Sequence, residues 1–435
     1  MAVRKLAPAV ARCCDRGLME THEIRRRLDT VWRMESPRLI ARLARMLGDL
    51  DSAEELAQDA LVAALEHWPR HGVPDNPAAW LTTTAQRRAI DLLRQRRLHA
   101  GKHEAMAQEP DHQGSVVRDH EREVEDDIGD DLLRLLFVAC HPVLPADARV
   151  ALTLRLLCGL STAEIARAFL LPEATIAQRI VRAKRTLAER GVAFEVPRRQ
   201  ALPPRLRSVL EVVYLVFNEG YAASNGEDWM RPALCEEALR LGRVLAGLMP
   251  VSAPVLGLLA LMELQASRMN ARTGADGGAV LLMEQDRSRW DWLQIGRGQV
   301  ALEKALALGG DDDAYVLQAA IAECHARARR AAQTDWSRIA QLYARLVAVM
   351  PSPVIELNRT VAVARAQGAQ AAWPLLEALQ EDGRLDGYAP LHAVRGDLLE
   401  QLGRRGEARA AFERAAGLSG NGRECAALLA RAGKM

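Results

Sequence analysis

Residues 160–187 read LSTAEIARAFLLPEATIAQRIVRAKRTL, and this stretch decides how the rest of the chain is interpreted. Ser161 and Glu164 have the spacing of a capping box, in which each side chain satisfies the other residue's free backbone N–H at a helix start. A turn at Pro172 separates this short helix from a second helix, which begins near Glu173 and is rich in arginine. A short helix, a tight turn and a basic second helix are typical of a helix-turn-helix, whose second helix lies in the DNA major groove.

The second helix has a buried side and a polar side. Ile176 and Ile180 have the spacing of residues that pack against Ile165 and Ala166 of the first helix. Gly191 follows the second helix, and glycine commonly ends helices because it adopts a left-handed conformation without strain. The polar positions of this helix are therefore expected to face DNA.

Upstream of this motif the chain is also helical. Two helices are expected before the motif, one that ends at Cys140–Pro142 and one over residues 146–157. Residues 21–98 show apolar residues at helical spacing, and strand patterns are absent there. Pro69 is expected to end one helix of this segment, and Asn76 followed by Pro77 predicts another that runs to about Leu98.

The net charge of +2 conceals a pattern along the chain. Residues 1–100 carry a net charge of +4, residues 101–131 carry −8, residues 132–200 carry +6, and the remainder is neutral. Basic modules indicate a polyanionic partner, and the acidic segment, which has few apolar residues, is typical of a solvated linker. Because arginines outnumber lysines 53 to 5, contacts with nucleic acid would be made mainly by planar guanidinium groups.

These segments resemble bacterial RNA polymerase sigma factors of the extracytoplasmic-function type. Gly48–Trp68 and Pro77–Arg94 are similar to region 2 of that family, and Leu160–Leu187 closely resembles region 4. The resemblance implies that region 2 binds the β′ clamp helices of core RNA polymerase and the unpaired −10 strand of promoter DNA. It implies that region 4 reads the −35 element and docks on the β-flap. The expected organisation is an N-terminal extension (1–20), region 2 (21–100), an acidic linker (101–131), region 4 (132–195) and a C-terminal helical domain (205–435).

The same resemblance assigns residues to each partner. The residues expected to bind core polymerase are Glu54, Glu55, Gln58 and Asp59. The residues expected to bind the −10 element are His71, Asp75, Asn76, Trp80, Arg87, Arg88 and Arg94. The residues expected to bind the −35 element are Thr175, Gln178, Arg179, Arg182, Lys184 and Arg185. Two interpretations of Trp80 stay open: its ring stacks on an unpaired base, or it packs in the helix core.

Residues 205–435 extend beyond the two sigma modules and again show helical stripes, so the expected fold class is all-α. Leu398–Ala415 resembles a tetratricopeptide hairpin, and Val361–Leu379 is a looser copy in which Gly368 aligns with Gly403. Their offset of 35 residues is close to the typical tetratricopeptide period of about 34. The sequence from Leu132 through His141–Pro142 to Phe217–Tyr221 also resembles the extracytoplasmic-function subgroup that is fused to a C-terminal tetratricopeptide-like domain. Such arrays form concave surfaces, so we expect an unidentified small-molecule or protein ligand there and control of activity through this domain.

The joint before this domain and the helix after it carry two further predictions. Three prolines in Val196–Pro204 favour a stiff, extended segment. Residues 209–217, VLEVVYLVF, are apolar on more than one helix face and are expected to be buried.

Other function classes find less support in the sequence. The seven cysteines are odd in number and no Cys-x-x-Cys occurs, so neither a disulfide framework nor a zinc site is expected. No cofactor is expected. No apolar run approaches the ~18 residues of a membrane helix, and the expected location is the cytoplasm. An autonomous helix-turn-helix regulator with a ligand-sensing array is the alternative to a sigma factor. An enzyme is disfavoured because no nucleophile–base pair has a readable spacing.

Overall fold

The chain folds almost entirely into α-helices in the part that the structure describes. The computed structural model describes residues 27–28, 30–104, 126–169, 171–197, 200–222, 230–274, 280–420 and 422–435. Within these ranges the all-α prediction is confirmed, and no β-strand occurs. The N-terminal extension 1–20 and most of the acidic linker lie outside the described residues. The chain divides into two compact units, Met1–Val212 and Val213–Met435.

The first unit contains two groups of helices, separated by the linker. The first group is α1 (30–47), α2 (Leu50–His71) and α3 (Pro77–Glu104). The second group is α4 (Asp126–Ala139), α5 (Ala146–Leu157), α6 (Thr162–Phe169) and α7 (Glu173–Glu189). The predicted boundaries at Cys140–Pro142 and 146–157 are confirmed, since α4 ends at Ala139 and α5 covers the expected range.

Two helix ends predicted in this unit are wrong. Pro69 does not end α2, which continues to His71 and closes with the Gly72 N–H donating to the Trp68 carbonyl at 2.9 Å. The proline lies in the last turn, so it costs only one local backbone bond. The helix that was expected to end near Leu98 continues to Glu104.

The expected stiff joint is instead partly helical. The helix α8 (Leu202–Tyr221) contains Pro203 and Pro204 in its first turn, where backbone N–H groups have no acceptor within the helix anyway. The division between the two units falls within α8. The prediction that residues 209–217 are buried is confirmed for six of the nine: Val209, Leu210, Val212, Val213, Val216 and Phe217.

The start of α8 is tied to the second helix group by polar contacts. The Ser208 hydroxyl donates to the Cys140 carbonyl at 2.5 Å, and the Arg149 guanidinium donates both to Ser208 at 2.5 Å and to Glu211 at 2.9 Å. Arg205 donates to the Phe137 carbonyl at 2.7 Å. The packing of the first unit therefore includes residues beyond 195.

The second unit continues as paired helices. They are α9 (Pro232–Leu248), α10 (Ala253–Ala266), α11 (Trp292–Ala307), α12 (Ala314–Arg327), α13 (Trp336–Val349), α14 (Pro353–Gln367), α15 (Ala369–Asp382), α16 (Ala389–Gln401), α17 (Arg405–Leu418) and α18 (Gly422–Ala432). Gly368 joins α14 to α15 at φ 93°, and Gly403 lies between α16 and α17 at φ 75°. Both glycines thus have a positive φ, which glycine adopts without strain. None of the described helices is long and apolar enough to cross a membrane.

Candidate nucleic-acid and polymerase interface

The capping box at the start of α6 has the predicted geometry. The Ser161 N–H donates to Glu164 Oε2 at 2.8 Å, and the Glu164 N–H donates to Ser161 Oγ at 3.2 Å. Burial alone would raise the pKa of Glu164. The Ser161 N–H and hydroxyl donate to the Glu164 carboxylate, and the Arg33 and Arg167 guanidiniums attract it, so the pKa of Glu164 lies below its usual value. The box fixes the start of α6 and therefore the angle at which the chain enters the turn to α7.

The core between α6 and α7 is also as predicted. Ile165, Ala166, Ile176 and Ile180 are all buried. The buried positions of α7 continue with one residue per turn through Leu187. This stripe holds one side of α7 against the unit and leaves the opposite side in solvent.

The solvent side of α7 carries three of the predicted −35 residues. Gln178, Arg182 and Arg185 are exposed and recur at the three- to four-residue spacing of one helix face. Arg185 bonds to Glu189 one turn later at 2.6 Å, a surface contact that DNA can replace at little cost. These side chains form a polar, basic stripe suited to base edges and phosphates.

Thr175 and Arg179 flank this stripe and are half-buried. The Thr175 N–H is already bonded to the Pro172 carbonyl at 3.0 Å. Arg179 Nε lies 3.2 Å from Asp147 Oδ2, at the start of α5. Arg179 must exchange this carboxylate for DNA if it reads a base.

Lys184, the sixth predicted −35 residue, points elsewhere. Its ammonium lies 2.8 Å from Asp51 Oδ1 and 2.5 Å from Glu54 Oε2, both on α2, and its side chain is only 12% exposed. Burial lowers the pKa of Lys184, but Glu54 and Asp51 together outweigh this and raise it. In this structure Lys184 binds the first helix group and is not available to DNA.

The residues of α2 that were predicted to bind polymerase also differ in their exposure. Glu55 and Asp59 are exposed, and Asp59 pairs with Arg88 at 3.0 Å. Glu54 is buried, with its side chain only 8% exposed, and Gln58 Nε2 donates to Glu54 Oε1 at 2.9 Å. Ala53 and Ala57 are buried on the same helix, whereas Leu56 is half-buried.

Glu54 is the centre of the contact between the two helix groups. Arg155 Nε donates to Glu54 Oε1 at 2.7 Å, and Lys184 bonds the other oxygen. Burial raises the pKa of Glu54, but the ammonium and the guanidinium outweigh it, so the pKa lies below its usual value. Arg33 adds a second link to α6 by bonding Glu164 at 2.7 Å. A cleft of about 740 Å³ runs along this contact.

The residues predicted to hold the −10 strand gather around the loop between α2 and α3. His71, Asp75 and Asn76 are exposed. Asn76 caps α3 by accepting from the Ala79 N–H at 3.0 Å. Trp80 is half-buried, with its ring 5.7 Å from the ring of the fully buried Trp68. Part of Trp80 thus packs on the core, which leaves both interpretations of this residue open.

The three predicted arginines lie further along α3. Arg87 is exposed, Arg88 is half-buried against Asp59, and Arg94 lies 3.5 Å from Asp91. The pairs made by Arg88 and Arg94 are weak surface contacts, so these guanidiniums, like that of Arg87, can turn toward a phosphate backbone.

Family models match the chain where this geometry lies. The Sigma-70 region 2 model matches residues 31–99, and the model described as Sigma-70, region 4 matches residues 134–187. The chain belongs to the sigma-70 family. A third model, a family of unknown function (DUF6596), matches residues 205–306 of this sigma factor. An uncharacterized protein of Rhizobium meliloti (strain 1021), R00370, is 44% identical over 395 residues, which cover 90% of this chain and 91% of that protein.

The matches confirm the predicted kind of protein. Region 2 and region 4 occur in the order of an extracytoplasmic-function sigma factor, followed by an additional helical domain. This sigma factor is a promoter-recognition subunit that acts with core RNA polymerase, and sigma families are not enzymes. Within the described residues no group of three or more His, Cys, Asp or Glu side chains is placed to hold a metal.

The contact between the two sigma regions is the feature that sequence reasoning missed. Nothing in the local sequence around Arg33 or Arg155 predicts a long-range contact, and Glu54 was expected to face core polymerase. Their partners are 131, 101 and 130 positions away, and no local spacing rule links residues so distant. The ion pairs and the low exposure of Glu54 in the folded chain identify the cluster.

Proposed function

We propose that region 4 of this sigma factor reads the −35 element with the exposed side of α7 and docks on the β-flap. The observation that carries this proposal is the stripe of Gln178, Arg182 and Arg185 on the second helix of a capped helix-turn-helix. Arginine forks and glutamine amides match the donors and acceptors of base edges in the major groove. Contacts with phosphates would add affinity that falls with salt.

Region 2 would capture the unpaired −10 strand at the loop before α3. Single-stranded DNA is held by a positive groove combined with aromatic stacking surfaces. The arginines of α3 supply the charge, and the accessible part of Trp80 supplies a stacking surface close to Asn76, the N-cap of α3. The exposed acidic side of α2, with Glu55 and Asp59, would meet the β′ clamp helices.

The free protein is proposed to be closed between region 2 and region 4. Glu54, expected to bind polymerase, and Lys184, expected to bind DNA, are bonded to each other. Neither side chain can meet its expected partner until this contact opens. Binding of core polymerase therefore competes with the closed arrangement, and the energy of the contact lowers the apparent affinity for polymerase.

The second unit is proposed to control activity by acting as a required scaffold and not as an inhibitor. The helix that leads into it, α8, also supplies Ser208 and Arg205, which are bonded to residues of region 4. A factor with this function works in the cytoplasm, where its polymerase and promoters are. Two truncations test the proposal: one after Leu202 removes α8, and one after Tyr221 keeps it.

Reporter transcription in cells that contain matched soluble amounts of each form gives the result. We expect both truncated forms to be less active than the full chain, with the greater loss when α8 is removed. Higher activity from the form that ends at Tyr221 would identify the second unit as an inhibitor. An autonomous regulator, the alternative function, would bind its DNA site specifically without polymerase.

A further inference from the structure

Three arginines of the second unit surround the same pair of aromatic side chains. The Arg268 and Arg272 guanidinium carbons lie 5.9 Å and 3.6 Å from the centre of the Tyr221 ring. Those of Arg268 and Arg287 lie 6.0 Å and 4.7 Å from the centre of the Trp290 ring. We name these three residues the arginine cluster. Arg268 belongs to both pairs, so the three positive charges occupy one region.

Burial makes this accumulation of charge costly. Arg287 is only 6% exposed, and its Nη1 donates to the His325 and Ala328 carbonyls at 2.7 Å and 2.5 Å, at the end of α12. Its Nε is buried without an acceptor. Arg268 is half-buried and donates to the Tyr221 hydroxyl at 2.8 Å. Burial and the neighbouring Arg268 both lower the pKa of Arg287, and no negative charge beside the guanidinium opposes this effect.

Arg268 and Arg287 have no carboxylate partner among the residues that the structure describes. Of the acidic residues near Arg287 in sequence, Asp286 accepts from the Ser288 N–H and Asp291 caps α11, and the exposed Glu284 forms no ion pair with Arg287. Elsewhere in this unit buried charge is matched, as where Glu263 lies 2.8 Å from Arg243 and 3.6 Å from Arg297. Buried charges in proteins are normally paired, so two unmatched guanidiniums indicate a counter-charge from outside the chain.

The side chains between the arginines are neutral and supply further hydrogen-bond donors. Trp290 is 3% exposed, and its Nε1–H has no acceptor in the described part of the unit. The His325 Nδ1 is likewise without a partner. Burial, Arg268 and Arg287 lower the pKa of His325 to about 3, so its ring is neutral at pH 7. The Tyr221 hydroxyl accepts from Arg268 and retains its own proton for another acceptor.

We propose that the arginine cluster binds a small oxyanion, and that a phosphate group is the best match. The guanidinium fork is shaped for carboxylate or phosphate oxygens, and two or three positive charges favour a dianion over a monoanion. The indole N–H and the phenol add directional donors. The cluster would then be the ligand site through which the second unit controls the sigma factor, a role that rests on the function proposed above.

A titration of the full-length chain with inorganic phosphate tests this inference without polymerase or promoter. We expect saturable binding in calorimetry and a higher Tm in phosphate than in chloride or acetate of equal ionic strength. Sulfate, also a tetrahedral dianion, should substitute for phosphate. Equal stabilisation by all four anions would overturn the proposal, and it would leave the sigma assignment untouched because the assay does not measure transcription.

Two substitutions locate the site. Arg268→Gln removes a half-buried charge that makes one hydrogen bond, and it should weaken phosphate binding at least about tenfold, the loss typical of one charge-assisted contact. Arg297→Gln, a similar change in the same unit but outside the cluster, should leave phosphate binding unchanged. Undiminished binding by Arg268→Gln would mean an adventitious ion only. If circular dichroism shows that this variant is unfolded, Arg268→Lys keeps the charge, loses the fork and should show reduced affinity.

Discussion

Replacing Lys184 with alanine should make the sigma factor bind core polymerase more tightly. The Lys184 ammonium lies 2.8 Å from Asp51 and 2.5 Å from Glu54 and is largely buried. Removing one partner of a buried ion pair costs about 3–5 kcal/mol when the other charge is left alone. Here Arg155 remains on Glu54, so the loss should be nearer that of a charged hydrogen bond, about 1.5–3 kcal/mol. The closed arrangement is weakened by that amount.

Affinity for core polymerase, measured by fluorescence anisotropy without DNA, reports this loss. Because closure opposes binding, the apparent affinity for core polymerase should rise about 10-fold at the lower end of this energy range and about 150-fold at the upper end. The full rise is expected when almost all of the free protein is closed. Arg182→Ala is the matched control, since it removes a positive charge from an exposed position of the same helix. Unchanged or weaker polymerase binding by a folded Lys184→Ala protein would refute the idea that closure and polymerase binding compete.

Three further predictions concern DNA, pH and packing. Arg182→Ala should cost about 1–3 kcal/mol in promoter binding by the holoenzyme on a matched −35 element and little on a scrambled one, as measured by filter binding. Because the pKa of Glu54 is lowered in the folded chain, the contacts of Glu54 stabilise the first unit fully above about pH 4.3, the usual pKa of a glutamate. This stability is lost as the pH falls through the lowered pKa. The urea midpoint should therefore fall more steeply toward pH 3 in wild type than in Glu54→Gln. A methyl group at Gly396 would lie 2.6 Å from the buried Phe412 ring, so Gly396→Ala should destabilise the second unit by about 1–3 kcal/mol in thermal unfolding. Gly406→Ala, where nothing lies within 4 Å, should not destabilise it.

The parts of the fold that were predicted correctly rest on local spacing. The capping box of Ser161 and Glu164, the ends of α4 and α5, and the buried stripe through Ile176 each depend on residues within a few positions of one another. Helix periodicity and capping are properties of a single segment, so they can be read before the fold is known. The order of two such modules then identified the family.

The proline errors have a different cause. A proline signals a helix end only when it removes a backbone bond that the helix needs. Pro69 lies in a last turn and Pro203 in a first turn, where little or nothing is lost. Sequence shows that proline is present, but only the position of the neighbouring backbone shows whether it interrupts a helix.

The interactions that were missed join residues distant in the chain. Lys184 has a place on the basic helix α7 that favours DNA, yet its side chain reaches α2. The arginine cluster is drawn from residues 268, 272 and 287, in a segment that contains no recognisable motif. Both cases depend on tertiary packing, which decides which charges are buried and which of them meet a partner.

Transcription by a reconstituted holoenzyme tests the central claim most directly. Purified core RNA polymerase is mixed with the full-length chain and a promoter fragment, and run-off RNA is measured with its start site mapped. We predict RNA of one defined length that requires both the chain and core polymerase and that is lost when either the −10 or the −35 element is scrambled. Absence of specific RNA, with the folded chain unable to bind core polymerase, would contradict the account.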